Sequence, residues 1–237
     1  MTNEKFVAFI DILGFKEMVL ENNAQSKLSN FYNTVYKLWR ELGFSNDNNN
    51  EIKGLAYSDS LMIYTENDSR ENLCKILKFV KKLYRKSLFN HKIMLRGGLA
   101  IGDFNYMPTI GHHTLEKSKF FGQAFIDAYK LENDSNVKGC RFVFKNDILE
   151  ILKNNEINPP VIKLEGLNNE IYDYLWITKE ELAENNFFDI YTFFKIAQEN
   201  QWIEHYIRTL DLFCLISNVN KYDIIKQKIV ENLTENM

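Results

Sequence analysis

Two aspartates in the first part of the chain could together hold divalent cations. Asp11 follows the apolar run Phe6–Ile10, which is typical of a strand buried on both faces, and Gly14 marks a turn just beyond it. Asp59 separates two segments rich in strand-forming residues, so it lies at the tip of a predicted hairpin. Divalent ions that bind phosphates need few protein carboxylates, because phosphate oxygens and water complete their coordination. A strand-terminal aspartate is also common as a helix cap or turn former, so only the convergence of Asp11 with Asp59 favours the metal interpretation.

The elements that must position these aspartates follow from the periodicity of the apolar residues. The predicted order is strand, two helices, hairpin, helix, strand, helix, strand, which favours an α/β sandwich with a mainly antiparallel sheet and helices against it. Between the later strand and helix, residues 105–119 are predicted to form a polar loop. The predicted strands are 6–10, 52–57, 61–65, 92–104 and 140–144, and the predicted helices are 16–42 (interrupted at Asn22–Asn23), 73–84 and 120–132.

The character of the chain changes beyond Phe144, and Pro159–Pro160 mark a junction. We therefore predict a core over residues 1–150 and a C-terminal α/β elaboration over 151–237 that packs on the core or on a dimer interface. This second part carries no chemical motif. Its candidate strands are 161–165 and 172–177, and its candidate helices are 187–197, 202–217 and 222–233.

Charge and cysteine content narrow the expected partners and compartment. The net charge of −3, from 29 basic and 32 acidic residues, gives no global attraction for a nucleic acid duplex or an anionic membrane. The helix 73–84 has a basic outer face that could touch nucleic acid, but a solvated helix face is the favoured interpretation. Three cysteines without CxxC spacing indicate neither a disulfide framework nor a thiolate zinc site. No signal-like or membrane-spanning apolar stretch is present in the sequence, so we expect a cytoplasmic protein.

Four segments, in order, resemble the motifs of class III nucleotidyl cyclase domains. They are Phe9–Phe15, Ser58–Met62, Arg96–Gly102 and Gly122–Glu132, and the resemblance covers about residues 5–145. It implies a ferredoxin-like βααββαβ core that converts a nucleoside triphosphate into a 3′,5′-cyclic monophosphate and pyrophosphate. The amino-acid sequences of these segments look closer to the pyrimidine cyclases of bacterial anti-phage Pycsar systems than to ordinary adenylate cyclases. That resemblance implies UTP or CTP as substrate and a downstream effector activated by the cyclic nucleotide.

The resemblance also implies a metal centre. Asp11 and Asp59 would hold two Mg²⁺ or Mn²⁺ ions, with the Ile12 carbonyl as an additional ligand. One ion would lower the pKa of the ribose 3′-hydroxyl for attack on the α-phosphate, while the other steadies the departing pyrophosphate.

Phosphate contacts are implied for a second group of residues. The turn amides of Leu13, Gly14 and Phe15 would meet the triphosphate, as expected where a glycine turn opens a helix. Arg96 would contact phosphate, a task that suits its fixed charge and forked donors.

The chain departs from the family pattern at the positions that orient ribose and select the base. Ile126 stands where the family usually has an asparagine, and Lys130 stands where it has an arginine and keeps the positive charge. Leu55 occupies the position of the purine-selecting lysine, although Lys53 lies two residues earlier. Tyr57, beside the metal carboxylate, would narrow a base pocket, and packing is the alternative role for this strand tyrosine.

The resemblance further implies a head-to-tail homodimer, in which each site takes its metal carboxylates from one protomer and Lys130 from the other. Ile126 keeps open a catalytically silent nucleotide-binding or regulatory module with the cyclase fold. An adenylate or guanylate cyclase is a further alternative. A palm-type oligonucleotide synthase would carry a Gly-Gly-Asp-Glu-Phe hairpin, and Tyr57–Leu61 stands there instead. The pair His112–His113 could suggest a metal site, but a solvated loop is the favoured interpretation.

Overall fold

The computed structural model describes residues 4–45, 51–112, 115–134, 137–155, 157–164, 170–184 and 203–217. The strands are β1 Glu4–Ile12, β2 Ile52–Tyr57, β3 Ser60–Thr65, β4 Leu95–Asp103, β5 Asn105–His112, β6 Leu115–Phe121, β7 Phe142–Lys145, β8 Val161–Lys163 and β9 Ile171–Tyr174. The helices are α1 Phe15–Met18, α2 Ala24–Glu41, α3 Arg70–His91, α4 Gln123–Glu132, α5 Asn146–Asn154, α6 Lys179–Glu184 and α7 Ile203–Ser217.

One mixed sheet organises the described part of the chain. Its strand order is β2-β3-β1-β4-β7-β9-β8, and every neighbouring pair is antiparallel except β4 and β7, which run parallel. The predicted α/β fold with a mainly antiparallel sheet is confirmed. The aspartate-bearing strand β1 lies between β3 and β4, so residues on all three strands can reach its C-terminal end.

Alternation along β1 directs its side chains to two different layers. Phe6, Ala8 and Ile10 join the large core beneath α2 and α3. Val7 and Phe9 join a smaller core that α4 covers. Both faces of β1 are therefore buried, which explains why its sequence is a continuous apolar run rather than an alternating one.

Helix α4 packs closely on β4 because a glycine faces it. A Cβ at Gly98 would lie 2.4 Å from the Ala128 carbonyl oxygen, which no side chain could tolerate without moving the helix backbone. Ala124 and Ala128 are fully buried in this contact. The small residues thus bring the C-terminal end of α4 down towards the strand ends where Asp11 lies.

The structure corrects the prediction for residues 105–119. Residues 105–112 and 115–119 are not a polar loop but belong to β5 and β6, which pair with each other in a separate two-stranded sheet. The segment contains Pro108 and Gly111, which are residue types depleted in strands, so its composition does not predict a hairpin. Helix α4 also begins at Gln123 rather than Phe120, because Phe120 and Phe121 belong to β6.

Several elements of the C-terminal part extend the same sheet. Strand β9 pairs with β7, and β8 pairs with β9, at the edge away from β2. Helix α7 is anchored by the fully buried Tyr206, Leu210 and Phe213. The predicted helices 187–197 and 222–233 lie outside the described residues. None of the described helices is long and apolar enough to cross a membrane.

Candidate active site

Four polar residues form a row across the sheet at the C-terminal end of β1. Asp11 lies opposite Ser60 of β3 on one side and opposite Arg96 of β4 on the other, and Tyr57 of β2 lies opposite Ser60. Residues directly opposite each other in antiparallel strands share a face of the sheet. The side chains of this row therefore lie on the same face of the sheet as Phe9 and α4. They form a polar surface next to the small core.

Asp11 is half-buried in the middle of this row. The Ser60 hydroxyl donates a hydrogen bond of 2.9 Å to Asp11 Oδ1. Burial, together with the negative charges of Glu132 and Asp59, raises the pKa of Asp11 to about 7, against the opposing effects of the Ser60 hydrogen bond and Arg96. A carboxylate held among other carboxylates in this way is stabilised by a bound cation.

Asp59 is brought to Asp11 by the turn between β2 and β3. The Ile12 amide donates to the Asp59 carbonyl at 3.1 Å, which ties the turn to the end of β1. Ser58 has a left-handed backbone with φ of 55°, and its carbonyl accepts a hydrogen bond from the Tyr32 hydroxyl of α2. The predicted convergence of the two aspartates at one spot therefore has a structural basis in three elements.

The donor set fits divalent ions that keep most of their coordination for phosphate and water. Among the described residues no group of three or more His, Cys, Asp or Glu side chains could hold a metal by itself. Two carboxylates that repel each other, one of them half-buried, match what phosphate-bound Mg²⁺ or Mn²⁺ requires. The chemistry of the pair therefore fits such ions and does not fit a closed structural metal site.

The turn after Asp11 differs in part from the expected phosphate cradle. The Leu13 amide donates to the Met94 carbonyl at 3.0 Å, so Leu13 contributes to the fold rather than offering its N–H to a ligand. Gly14 has φ of 72° and precedes α1, which has no side-chain cap. The first amides of a helix have no intrahelical acceptor, so Gly14 and Phe15 keep the predicted capacity to meet an anion.

Arg96 is placed in the row as expected but is already paired. Its Nε donates to Glu132 Oε1 at 2.7 Å, and its Nη2 lies 2.6 Å from the same oxygen. The Glu132 side chain is only 3% exposed and the Arg96 side chain 15%. Burial raises the pKa of Glu132 and the Arg96 charge opposes this. The predicted phosphate contact of Arg96 would require the guanidinium to leave or share this carboxylate.

Ile126 and Lys130 lie on the outer side of α4. Both side chains are exposed, Ile126 at 42%, and a spacing of four residues places them on one face of the helix. The structure does not bring Lys130 into the row of its own chain. Asp127, which follows Ile126 in the same helix, accepts a hydrogen bond from the Gln123 side chain and forms an ion pair with Lys145 at 3.3 Å. These polar residues of α4 therefore have a structural role.

Tyr57 and Leu55 line the open side of the row. The Tyr57 ring stacks at 6.4 Å from Phe120, and burial together with the charges of Asp11 and Asp59 raises the pKa of its hydroxyl. Leu55 borders a groove of about 480 Å³ along β2. Lys53 forms an ion pair with Glu66 rather than extending towards the row.

Sequence reasoning missed three residues that shape the site. Ser60 fixes Asp11, Tyr32 holds the turn before Asp59, and Glu132 pairs with Arg96. The sequence could have identified Ser60, because it is a polar residue that directly follows Asp59 and begins the strand β3. Tyr32 and Glu132 act across 26 and 36 residues of sequence, and local patterns give no signal for such contacts.

Comparison with solved structures places this fold among adenylyl and guanylyl cyclases. The adenylyl cyclase CyaB from P. aeruginosa is 18% identical over 74% of this chain and 95% of its own, with a TM-score of 0.51. A dimeric guanylyl cyclase domain of the RhoGC fusion protein from the aquatic fungus Blastocladiella emersonii is 15% identical over 73% of this chain and 94% of its own, with a TM-score of 0.54. A bacterial light-regulated adenylyl cyclase is 14% identical over 84% of this chain and 99% of its own, with a TM-score of 0.55.

The likeness to these proteins is one of fold. No family model and no curated protein matches the sequence. The chain thus has the fold of cyclase catalytic domains, with Asp11 on the face of the sheet that α4 covers and Asp59 in the adjoining β2–β3 turn.

Proposed function

We propose that the chain is a nucleotidyl cyclase that converts a nucleoside triphosphate into a 3′,5′-cyclic nucleotide and pyrophosphate. The observation that carries this proposal is the convergence of Asp11 and Asp59 beside Arg96 at one end of a cyclase-like sheet. Bound Mg²⁺ or Mn²⁺ would lower the pKa of the ribose 3′-hydroxyl and neutralise charge on the phosphates. The fold of the solved cyclases supports the reaction class.

Each residue of the site has a defined task in this proposal. Asp11 and Asp59 hold the cations, with the Ile12 carbonyl as an additional ligand, and Ser60 keeps Asp11 oriented. The amides of Gly14 and Phe15 meet the triphosphate.

Positive charge for the phosphates comes from two directions. Arg96 serves its own site once Glu132 shares or releases it, and Lys130 reaches the site of a partner subunit, since it lies on the outer side of α4.

The placement of α4 supports a homodimer with shared sites. Ile126, Tyr129 and Lys130 are exposed on this helix, and a second copy of the chain would cover them and bring Lys130 to its carboxylates. The guanylyl cyclase domain from the aquatic fungus is described as a non-canonical dimer in one structure and as monomeric in another. The core over 1–150 would carry the chemistry, and the elaboration over 151–237 would brace the core or extend the dimer interface.

A pyrimidine substrate is the finer part of the proposal. Leu55 offers no hydrogen bond at the position where the resembled family selects purines, and Lys53 is paired with Glu66. The exposed ring of Tyr57 beside the carboxylates would narrow the space for a base. UTP or CTP is therefore the expected substrate. The cyclic product would act as a second messenger on an effector in anti-phage defence, as in the resembled Pycsar systems.

A catalytically silent nucleotide-binding module is the second candidate. Two observations favour it: Ile126 cannot hydrogen-bond a ribose, and Arg96 is held by Glu132. An adenylate or guanylate cyclase remains the alternative within the enzyme class. The three candidates differ in product, so one experiment separates them.

The test is incubation of the protein with an equimolar mixture of the four ribonucleoside triphosphates and Mn²⁺, followed by mass spectrometry of the products. We expect a 3′,5′-cyclic pyrimidine nucleotide and an equal amount of pyrophosphate. A cyclic purine product would correct the substrate. Absence of any cyclic product or pyrophosphate would favour the silent module.

The control is a pair of identical substitutions at two aspartates. Asp59→Asn should lower turnover by about 10³-fold because it removes a metal-binding charge. Asp68→Asn changes an exposed carboxylate away from the row and should leave turnover unchanged. Full activity of Asp59→Asn would reject the metal assignment.

A further inference from the structure

We propose that Tyr32 of α2 is a positioning residue that holds Asp59 in its metal-binding orientation through the Ser58 carbonyl. The inference rests on the proposed function, because it concerns the metal site of the cyclase. Tyr32 touches neither carboxylate in the hydrogen-bond network of the structure. It donates to the backbone of the residue that precedes Asp59.

The turn that carries Asp59 is short and is fixed at two successive carbonyls. Only Ser58 and Asp59 separate β2 from β3. The Ser58 carbonyl accepts from the Tyr32 hydroxyl, and the Asp59 carbonyl accepts from the Ile12 amide at 3.1 Å. One tether comes from α2 and the other from β1, so the peptide groups on both sides of the Asp59 Cα have fixed positions. The direction of the Asp59 Cα–Cβ bond, from which the carboxylate extends, follows from this.

The Ser58 backbone is in the left-handed region with φ of 55°, as the first central residue of a two-residue hairpin loop often is. The β2–β3 pairing therefore fixes this conformation by itself. The side chain of Ser58 is exposed. The hydrogen bond from Tyr32 adds a contact from outside the hairpin, which fixes the position of the whole turn relative to α2.

Tyr32 can hold the turn because α2 itself is packed against the core. The neighbouring Phe31 is buried with Val35 and Leu38 in the core beneath the sheet, and the Tyr32 ring meets the Phe31 ring edge-on at 5.3 Å. The hydroxyl thus reaches the turn from a fixed helix. The β2–β3 register, by contrast, extends over six residue pairs and does not depend on this bond. Loss of the hydroxyl should loosen Asp59 while the hairpin stays formed.

The test is Tyr32→Phe, which removes one oxygen and keeps the ring. Mn²⁺ binding is measured by electron paramagnetic resonance without nucleotide, so the readout does not depend on turnover. We expect the dissociation constant for Mn²⁺ to rise by about 10-fold, the lower end for loss of a group that orients a metal ligand. The Mn²⁺ concentration for half-maximal activity should rise in parallel, and saturating Mn²⁺ should restore most of kcat.

The matched control is Tyr36→Phe, the same substitution one turn later on α2, where the side chain is 59% exposed. It should bind Mn²⁺ as the wild type does. Wild-type affinity in Tyr32→Phe would overturn the inference, even if the melting temperature fell, because the hydroxyl would then have only a structural role. If the wild type bound Mn²⁺ no better than Asp59→Asn, the metal site itself would be wrong, and the proposed function would fail together with the inference.

Discussion

The two aspartates and the helix α4 are held in different ways. Asp11 and Asp59 are fixed by Ser60, by the Ile12 amide and through Tyr32, all within one chain. The contact of Ala128 with Gly98 holds helix α4 against the sheet. The ion pairs of Glu132 with Arg96 and of Asp127 with Lys145 hold it further. Its outer side exposes Ile126, Tyr129 and Lys130, and Lys130 forms no ion pair with any described residue.

In the proposed function, one half of the candidate site is complete in a single chain and the other half comes from a partner subunit. A residue whose charge is needed by its own chain would be expected to point into the row, as Arg96 does. Lys130 points outward instead. The two halves can therefore be tested separately, by asking which chain must supply each residue.

The largest expected effect comes from mixing two inactive variants. Asp59→Asn removes the carboxylate half, with a loss of about 10³-fold, and Lys130→Ala removes the α4 half, with a loss of about 10²-fold. If each site draws its halves from different subunits, mixed dimers contain one intact site. Random exchange at equal concentrations should then restore about a quarter of wild-type turnover, measured as pyrophosphate release.

The control for this mixture uses two variants of the same half. Asp11→Asn mixed with Asp59→Asn should restore nothing, because every site in such a dimer still lacks one carboxylate. Recovery in the control mixture, or none in the first one, would contradict the proposed division of the site between subunits.

The same contrast explains which features could be predicted from sequence. The strand β1 and the hairpin were predictable because buried strands are continuous apolar runs and because Asp59 separates two strand-like segments. The strands β5 and β6 were not, since they pair with each other apart from the main sheet and contain Pro108 and Gly111, residue types that are depleted in strands.

Glu132 was not predictable for a different reason. A charged residue at the end of a helix is normally solvated, and this one is buried because Gly98 lets α4 approach the sheet. Tyr32 likewise acts on Ser58 only through the packing of α2. Residues that hold the site depend on tertiary contacts, whereas residues that would do chemistry are marked by their own type and position.

A smaller effect, on stability, should come from the Arg96–Glu132 pair. Glu132→Gln removes the charge that compensates a guanidinium that is 15% exposed, so we expect the free energy of unfolding to fall by about 2 kcal/mol. Urea unfolding measures this change. The exposed Glu150 of α5 gives the control, since Glu150→Gln should change the free energy of unfolding by less than about 0.5 kcal/mol. Equal shifts for the two variants would mean that the pair does not anchor α4.

The smallest effect concerns the C-terminal helix α7, whose His205 lies near Arg96. The Gly139 amide donates to His205 Nδ1 at 3.1 Å, so the ring is an acceptor there and is neutral. Burial, together with the positive charges of Arg96 and Lys138, lowers the pKa of His205 from 6.5 to about 4, with Glu204 opposing them. Between these two values the unfolded chain binds a proton that the folded chain does not. The contribution of His205 to stability is therefore complete above pH 6.5 and is lost as the pH falls towards 4.

His205→Asn tests this contribution, because an asparagine oxygen can accept the same amide bond but does not titrate in this range. Urea unfolding of both proteins at several values from pH 7 to pH 4.5 should show a wild-type stability that falls more steeply, by about 1 kcal/mol in total after allowance for the partial exposure of the ring. Parallel curves would show that His205 is not held neutral. A steeper wild-type curve would establish that the folded chain holds His205 neutral, with burial as the main cause and the charge of Arg96 as a smaller one.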